Sequence, residues 1–349
     1  RRAAGRAQAP GGNLLTMANE TYLEVDGEPF RISSPDKIMF PDQGWTKLDV
    51  AHHFLLTGEG ALRGVYGRPT MLKRWPNGAG AEPFYNKRAK PGDAMETVEI
   101  RFPSQRPGLM RAPRTVTDIL RMAQLNCLDL NPWNARAEDI DHPDELRIDL
   151  DPTPDVPFSD VRAVAAWCRE FLESHGLVAW PKTSGSRGIH IYVRLEPRWD
   201  YFQVRRAVLA VAREAERQLD GVATTAWWKE ERVGVFIDYN QNARDKTIAS
   251  AYSVRPTGYV SAPFTWGELD DIEIETFPMM GFADRWKAVG DLSAGIDESA
   301  GRLESLLELV AAHEESGMGD APWPPHYPNQ PGEPPRVQPS KQRRADDEY

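Results

Sequence analysis

Residues 146–152, with the sequence Leu-Arg-Ile-Asp-Leu-Asp-Pro, constrain the fold of this chain more than any other stretch. Their apolar residues and terminal proline predict a short β-strand. Because successive side chains of a strand point to opposite faces, Asp149 and Asp151 share one face while Ile148 and Leu150 face the core. Two carboxylates held side by side repel each other unless a cation lies between them. The strand therefore predicts a site for Mg²⁺ or Mn²⁺ and, with it, phosphate chemistry.

Length and composition indicate a soluble globular protein. The chain has 349 residues, of which 40% are hydrophobic and 27% charged, enough for one large domain or two ordinary ones. No apolar run is long enough to span a bilayer, and we find no signal-peptide core. The two cysteines, Cys127 and Cys168, suit a reducing compartment and cannot form a four-cysteine zinc site. We therefore expect a cytoplasmic monomer without a membrane partner.

The net charge of -10 argues mildly against nucleic-acid binding. Basic residues nevertheless gather in 63–114 and 182–206, and a local basic surface can attract a polyanion whatever the net charge. Charge alone therefore leaves nucleic-acid binding open.

The sequence predicts four regions. Residues 1–20 lack a periodic pattern and are expected to be disordered. We expect a single catalytic domain over 21–300, a helical extension over 301–320 and a proline-rich flexible tail over 321–349.

Hydrophobic periodicity predicts helices and strands in irregular alternation, so an α+β fold and a doubly wound sheet both remain open at this point. The predicted helices cover 47–56, 115–130, 159–175 and 201–219, and the predicted strands cover 97–102, 146–150, 178–180, 189–193 and 233–238. Residues 247–253 form an apolar segment that we expect to be extended.

Asp238 ends a second apolar strand, Val-Gly-Val-Phe-Ile-Asp, just before polar residues. A carboxylate at the rim of a sheet lies where ligands bind in open sheets, so Asp238 could join Asp149 and Asp151 as a third metal ligand. The alternative is that Asp238 only caps a turn before Asn240.

Residues 183–190, Thr-Ser-Gly-Ser-Arg-Gly-Ile-His, form a loop suited to anions. Two glycines free the backbone to present N–H groups, and Arg187 and His190 add further donors, which suits a triphosphate. The loop lacks the Walker A and Rossmann patterns, so an ordinary connection between strands stays open.

Cations alternate with aromatic residues in 70–78 and 84–88. Such segments can hold phosphates and stack on bases. The alternative is a solvated hairpin with a small aromatic core.

Taken in order, these motifs resemble the polymerase domain of bacterial ligase D, a member of the archaeo-eukaryotic primase superfamily. The resemblance covers roughly residues 30–295 and rests on Lys-Arg-Trp-Pro-Asn-Gly, Asp-Leu-Asp-Pro, Ser-Gly-Ser-Arg-Gly-Ile-His-Ile-Tyr, Asp-Tyr-Asn-Gln-Asn and Tyr-Ser-Val-Arg-Pro. It implies a mixed α+β fold in which two sheet-containing modules flank an active-site cleft. The chain looks most like the stand-alone actinobacterial type called primase-polymerase C.

The resemblance also implies residue roles at the reaction centre. The catalytic acids, which would hold two divalent ions, are Asp149, Asp151 and Asp238. The residues that would bind the triphosphate are Ser184, Arg187 and His190. The residues that would contact the rest of the incoming nucleotide are Lys73, Gln241, Arg255 and, near the sugar, Asn131.

A second set of roles concerns DNA. Lys37 and Lys47 match a pair that holds the 5′-phosphate across a gap, and Phe84 and Tyr85 match an aromatic pair that stacks on bases. Three positions depart from the family pattern: Asn131 replaces a histidine, Arg187 a lysine and Tyr85 a phenylalanine. The change at Asn131 bears on the choice between ribose and deoxyribose.

The implied activity is template-dependent nucleotidyl transfer that fills short gaps in DNA, with a preference for ribonucleotides, in excision repair or end joining. The implied partners are gapped or primer-template DNA, nucleoside triphosphates and a separate DNA ligase, and the implied location is the nucleoid. Two alternatives remain: a metal-dependent nuclease or phosphodiesterase, and a non-catalytic protein that binds DNA ends.

Overall fold

The computed structural model describes residues 19–330 and 332–336. The predicted disorder of residues 1–18 and the predicted flexibility of residues 337–349 lie outside this part of the chain. None of the helices within the described ranges is long and apolar enough to cross a bilayer.

Fourteen strands and seven α-helices make up the regular structure of the described residues. In chain order they are β1 (Glu20–Val25), β2 (Glu28–Ser33), β3 (Ile38–Phe40), β4 (Trp45–Thr46), α1 (Lys47–Leu56), α2 (Gly58–Val65), β5 (Thr70–Arg74), β6 (Phe84–Asn86), β7 (Thr97–Arg101), β8 (Pro107–Arg111), α3 (Val116–Gln124), β9 (Cys127–Pro132), β10 (Glu145–Pro152), α4 (Phe158–Ser174), β11 (Trp180–Thr183), β12 (Ile189–Arg194), α5 (Tyr201–Gln218), β13 (Ala223–Thr224), β14 (Val235–Ile237), α6 (Phe282–Val289) and α7 (Glu304–Glu315).

The first five-stranded sheet has the order β11-β12-β10-β14-β13. All its pairings are antiparallel except that of β13 with β14. The central strand β10 has the two faces that its sequence predicts: Ile148 and Leu150 are buried in the core, while Asp149 is half-buried and Asp151 exposed. Helices α4 and α5 pack against this sheet. Burial of its apolar face thus fixes the direction in which the two carboxylates point.

The second sheet joins β6, β5, β8 and β7 in that order, and β9 also pairs with β5. The apolar segment 247–253, predicted to be extended, contains a turn at residues 251–252, where Tyr252 adopts a left-handed backbone with φ of 62°. The amide of Ser250 donates to Leu130 O at 2.8 Å and that of Val254 to Leu128 O at 2.9 Å, which attaches the segment to β9. The cleft described below lies between the two sheets.

The predicted helix over 115–130 is too long. Helix α3 ends at Gln124, Asn126 adopts a left-handed backbone with φ of 62°, and the chain continues as strand β9. The pattern failed here because Leu128 and Leu130 fit the apolar spacing of a helix and of a strand equally well. The other three predicted helices are confirmed, with bounds that agree within one residue.

The start of the C-terminal tail differs from the expected flexible segment. Trp323 and Tyr327 are buried, and the Trp323 ring stacks on Phe202 of α5 with 5.6 Å between ring centroids. Composition predicts flexibility because prolines prevent regular structure. Composition does not show that two aromatic side chains can pack on a neighbouring helix and bury apolar area.

A buried carboxylate, Glu145, connects several arginines at the first residue of β10. Its oxygens contact Arg147 Nε at 2.7 Å, Arg68 Nη2 at 3.7 Å and Arg194 Nη1. Burial alone would raise the pKa of Glu145, but the charges of Arg68, Arg194 and Arg147 outweigh it and lower the pKa to about 2. Arg147 also donates to two backbone carbonyls at the end of β9, so this cluster joins the two sheets.

We predict that Glu145→Gln lowers the free energy of unfolding by about 3 kcal/mol or more, because the buried Arg147 loses its carboxylate partner while Arg68 and Arg194 each lose one of two. The measurement is urea denaturation at pH 7. The matched control is Glu173→Gln, which removes an exposed ion pair with Arg169 and should cost less than about 1 kcal/mol. Equal losses in the two variants would contradict the prediction.

Candidate active site

Strand pairing brings Asp149 and Asp238 together. Asp149 lies opposite His190 in the β10–β12 register. Asp238 directly follows β14, and its amide donates to Asp149 O at 2.9 Å. The side chains of these three residues therefore meet at one place on the sheet, although they come from three separate stretches of the sequence.

The motif Asp-Tyr-Asn-Gln-Asn folds as a cap followed by the 3₁₀ helix Tyr239–Asn242. Asp238 Oδ1 accepts from the amide of Asn240 at 3.0 Å, so Asp238 does cap this turn. Its other oxygen, Oδ2, accepts from Gln241 Nε2 at 3.2 Å, and the same nitrogen donates to Asp149 Oδ2 at 3.2 Å. Asp238 can therefore cap the turn and lie beside Asp149 at the same time, so the two alternatives raised by the sequence are compatible.

Asp149 repels each of the other two acids, and both Asp149 and Asp238 are half-buried. Burial raises the pKa of Asp149 to about 6, and burial together with the charge of Asp149 raises that of Asp238 to about 6. The pKa of the more exposed Asp151 is also raised, first by burial and then by Asp149. This part of the site favours a positive charge between its oxygens.

The glycine-containing loop closes on Ser184. The Ser184 hydroxyl accepts from the amides of Ser186 and Gly188, each at 3.0 Å. A Cβ on Gly188 would lie 2.0 Å from Leu150 O, so no larger residue fits there. Arg187 is exposed, and its Nη2 lies 3.8 Å from Asp151 Oδ1. The loop is thus pressed against β10, beside the acids, with an arginine at its tip.

Lys182, which the sequence analysis missed, fixes the orientation of His190. Its Nζ lies 2.7 Å from His190 Nδ1 and also donates to Ala249 O at 2.8 Å. The other ring nitrogen, Nε2, lies 3.4 Å from Asp149 Oδ1. Burial lowers the pKa of both Lys182 and His190 well below their ordinary values. The imidazole is therefore held between Lys182 and Asp149, and burial disfavours its charged form.

Asp129 is the second residue that the sequence analysis missed. It is buried in β9, and its Oδ2 lies 3.5 Å from Lys73 Nζ and 3.6 Å from Arg255 Nε. Its Oδ1 accepts from Asn131 Nδ2 at 2.8 Å. Strand alternation places Asp129 and Asn131 on one face. The predicted helix over 115–130 conceals this alternation. One carboxylate thus orders three residues predicted to contact a nucleotide.

These groups line one polar cleft of about 300 Å³ between the sheets. Nine of the residues predicted from the sequence line it, namely Lys73, Asn131, Asp149, Asp151, Ser184, Arg187, His190, Gln241 and Arg255. Asp238 reaches the cleft through its contact with Gln241.

The predicted DNA contacts lie outside this cleft. Lys37 donates to Pro76 O, and the buried Lys47 donates to Ser33 O at 2.9 Å. Burial, followed by the positive charges of Lys37 and two arginines, lowers the pKa of Lys47 to about 8. Both ammonium groups bond backbone carbonyls, but Lys47 is buried, so of the two only Lys37 is partly exposed to an anion in solution.

The aromatic pair on β6 is exposed. Phe84 and Tyr85 have exposed fractions of 56% and 55%. The Lys73 ammonium lies 5.9 Å from the centre of the Tyr85 ring, which places this pair beside the edge of the cleft. Exposed rings beside a cation are suited to stacking on bases.

Comparison with known proteins identifies this combination of fold and cleft. A family model described as LigD, primase-polymerase domain, matches residues 46–293. The multifunctional non-homologous end joining protein LigD of Mycolicibacterium smegmatis is 32% identical over 311 residues, which cover 86% of this chain and 40% of that protein. The protein of that name from Pseudomonas aeruginosa is 30% identical over 277 residues, which cover 78% of this chain and 32% of that protein. The chain thus spans less than half the length of these relatives.

A solved structure, the polymerase domain from Mycobacterium tuberculosis ligase D in complex with DNA, matches with a TM-score of 0.71 and 29% identity. The match covers 77% of this chain and 98% of that one. It confirms the predicted mixed α+β fold of the archaeo-eukaryotic primase type.

Fold and family model together define a primase-polymerase domain, a class of nucleotidyltransferase. The chain belongs to the LigD primase-polymerase domain family.

Polymerases of this family use divalent metal ions, and the donor set of the cleft suits them in part. Across residues 19–330 and 332–336, no three side chains of His, Cys, Asp or Glu converge closely enough to hold an ion by themselves. Asp149 and Asp238 nevertheless share one hydrogen-bond donor, and both carry raised pKa values. Mg²⁺ is commonly held by one or two carboxylates with substrate phosphates and water completing the shell, and this set fits that pattern.

We predict that Asp149→Asn raises the free energy of unfolding by about 1–3 kcal/mol at pH 7.5 in EDTA. A carboxyl whose pKa rises to about 6 on folding contributes stability below pH ~4 that is lost as the pH rises through ~6. Asparagine does not ionise, so the variant does not lose this stability as the pH rises. Urea denaturation measures the change, and the gain should vanish near pH 4.

The control for this prediction is Asp270→Asn, at an exposed position, which should leave stability unchanged at both pH values. Mn²⁺ should raise the free energy of unfolding of the wild-type protein more than it raises that of the Asp149→Asn variant. Destabilisation by Asp149→Asn at pH 7.5 in EDTA would refute the electrostatic account.

Proposed function

We propose that this chain is a template-dependent nucleotidyltransferase that fills short gaps in DNA, prefers ribonucleotides and engages the 5′-phosphate of the gap. The observation that carries the proposal is the meeting, in one polar cleft, of paired acids, a loop with an exposed arginine and an ordered lysine–arginine pair. Membership of the LigD primase-polymerase domain family supports it.

The incoming nucleotide would be held from two sides. On the β9 side, Lys73 and Arg255 are preorganised by Asp129, so little side-chain entropy remains to be lost on binding. On the β10 side, the exposed Arg187 and the imidazole of His190 would receive the phosphates. In this proposal neither the arginine nor the histidine transfers protons; they orient the triphosphate for in-line attack.

Two divalent ions, Mn²⁺ or Mg²⁺, would be held by Asp149, Asp151 and Asp238 together with phosphate oxygens. Bound there, such ions activate a primer 3′-hydroxyl and neutralise charge on the departing pyrophosphate. Gln241 would steady Asp149 and Asp238 through its amide nitrogen. Asn131, fixed by Asp129, would lie near the sugar and bear on the choice between ribose and deoxyribose.

DNA would be gripped outside the cleft. Lys37 and Lys47 would bind the 5′-phosphate on the far side of the gap: both are cations bonded to neutral carbonyls, and the partly exposed Lys37 would make the direct contact. Phe84 and Tyr85 would stack on bases near the primer terminus. The related mycobacterial polymerase domain was solved in complex with DNA, which supports a DNA-binding role here.

The relatives are non-homologous end joining proteins, so we place the activity in repair of broken or gapped DNA. The proposal includes a separate DNA ligase as partner, action as a monomer, and a location at the nucleoid in the cytoplasm. The stand-alone primase-polymerase C type, suggested by motif order, stays a prediction.

The first test is primer extension on a short 5′-phosphorylated gap, comparing ribo- with deoxyribonucleotides and Mn²⁺ with Mg²⁺. We predict that Asp149→Ala combined with Asp151→Ala lowers the extension rate by about a thousandfold or more, since the ions lose their carboxylates. DNA binding, measured by fluorescence anisotropy, should change by less than about twofold.

The matched control is Asp139→Ala combined with Asp141→Ala, which removes two exposed acids at the same spacing and should extend normally. Extension by the active-site double variant at the wild-type rate would disprove the assignment. The nuclease alternative predicts that DNA is shortened by the wild-type protein instead of extended, and the same gel distinguishes the two outcomes.

We predict that Lys37→Ala weakens binding to a 5′-phosphorylated gap by about tenfold, the effect of losing one charge-assisted hydrogen bond. Binding to the same gap without the phosphate should be unaffected. The control is Lys287→Ala, an exposed lysine on α6, which should affect neither. An equal loss on both gaps would show that Lys37 does not recognise the phosphate.

A further inference from the structure

A fully buried arginine, Arg205 of α5, ties the C-terminal segment to the body of the domain. Its Nη1 donates to Asp320 Oδ1 at 2.7 Å, and its Nη2 donates to Ala321 O at 2.8 Å and Pro322 O at 3.2 Å. Its guanidinium lies 4.0 Å from the centre of the Trp323 ring. With its charge matched and most of its donors used, the arginine is a rigid contact and not a mobile surface cation.

The Nε donor of Arg205 points towards the candidate site. Its Nε donates to Asn240 Oδ1 at 2.7 Å, while Asn240 Nδ2 donates to Pro322 O at 3.1 Å. The backbone amide of Asn240 is the group that Asp238 Oδ1 accepts at 3.0 Å. The side chain of Asn240 is thus fixed by the C-terminal segment, and its main chain holds the carboxylate.

The other end of the same 3₁₀ helix is fixed differently. Asn242 Nδ2 donates to Arg147 O at 2.7 Å, and Asn242 Oδ1 accepts from the Arg147 amide at 2.8 Å, in the manner of a strand pair. The turn that carries Asp238 therefore has two supports. One comes from β10, and the other comes from residues 320–322, which lie beyond the span 46–293 that the family model matches.

We propose that Arg205, Asn240 and the segment 320–323 position Asp238 for metal binding, so that the C-terminal segment is a working part of the active site. This inference rests on the proposed function, because it takes Asp238 as a metal ligand. Arg205 and Asn240 are positioning residues. Groups that orient a metal ligand typically contribute about 10- to 100-fold to metal affinity.

The test is the Mn²⁺ concentration at which the full chain, without DNA, half-saturates with a fluorescent, non-hydrolysable nucleoside triphosphate, because the acids are proposed to hold the ion together with phosphate oxygens. Arg205→Gln and Asn240→Ala should each raise this concentration about tenfold or more. The matched control is Arg213→Gln: Arg213 lies on the same helix and donates to Gly319 O at 2.6 Å, so it tethers the same segment without contacting Asn240. Its half-saturating Mn²⁺ concentration should stay within about twofold of that of the wild type.

Primer extension supplies a second measurement. The two positioning variants should have a lower kcat and need more Mn²⁺ for half-maximal rate, while the KM for primer-template DNA stays unchanged. Urea denaturation checks that each variant is folded. If Arg205→Gln does not fold, Asn240→Ala, which leaves the ion pair of Arg205 intact, decides the question.

Asp238→Asn separates the two levels of the proposal. If it abolishes Mn²⁺-dependent nucleotide binding but Arg205→Gln and Asn240→Ala bind as the wild type does, or Arg213→Gln is weakened equally, the positioning role is overturned and the proposed function stands. If the wild type shows no Mn²⁺-dependent nucleotide binding, or Asp238→Asn leaves it unchanged, the metal assignment fails and this inference fails with it.

Discussion

Mutual repulsion between two half-buried carboxylates is the interaction around which the cleft is arranged. Asp149 and Asp238 accept hydrogen bonds from one and the same nitrogen of Gln241, and burial raises the pKa of both to about 6. Side chains free to move would separate. They cannot, because the amide of Asp238 is bonded to Asp149 O and both strands are anchored in a buried sheet. The stability of the sheet therefore holds the acids in an arrangement that is unfavourable without a cation.

The same constraint explains where the basic side chains lie. Lys73 and Arg255 are drawn to Asp129, on the opposite wall of the cleft. Lys182 bonds His190 and two neutral oxygens, and burial lowers its pKa. The positive charges of Lys73 and Arg255 therefore face the acids across the polar cleft. A bound triphosphate would find cations on one side and, on the other, acids whose repulsion divalent ions relieve, so ligand and ions would stabilise each other.

The features that sequence predicted best are those set by local periodicity. The alternation in β10 placed Asp149 and Asp151 on one face and Ile148 and Leu150 in the core, as the structure has them. The motifs also supplied nine candidate residues that lie in one cleft.

The residues that sequence missed act through contacts that no local pattern encodes. Lys182 sits on an ordinary strand, and its partners include Ser261, far along the chain. Asp129 was hidden because Leu128 and Leu130 fit a helix, and only the left-handed Asn126 shows where the helix ends. Such positions follow from tertiary pairing, which single-sequence periodicity does not contain.

The C-terminal segment shows that composition, like periodicity, does not reveal tertiary contacts. Its prolines remove backbone donors, which makes a helix or a strand unfavourable. They also restrict the unfolded chain, so less entropy is lost when the segment docks. Burial of Trp323 against Phe202 and the bonds of Arg205 to three backbone or carboxylate groups then suffice to hold it. A segment without regular structure thereby comes to hold Asn240, whose amide the cleft carboxylate Asp238 accepts.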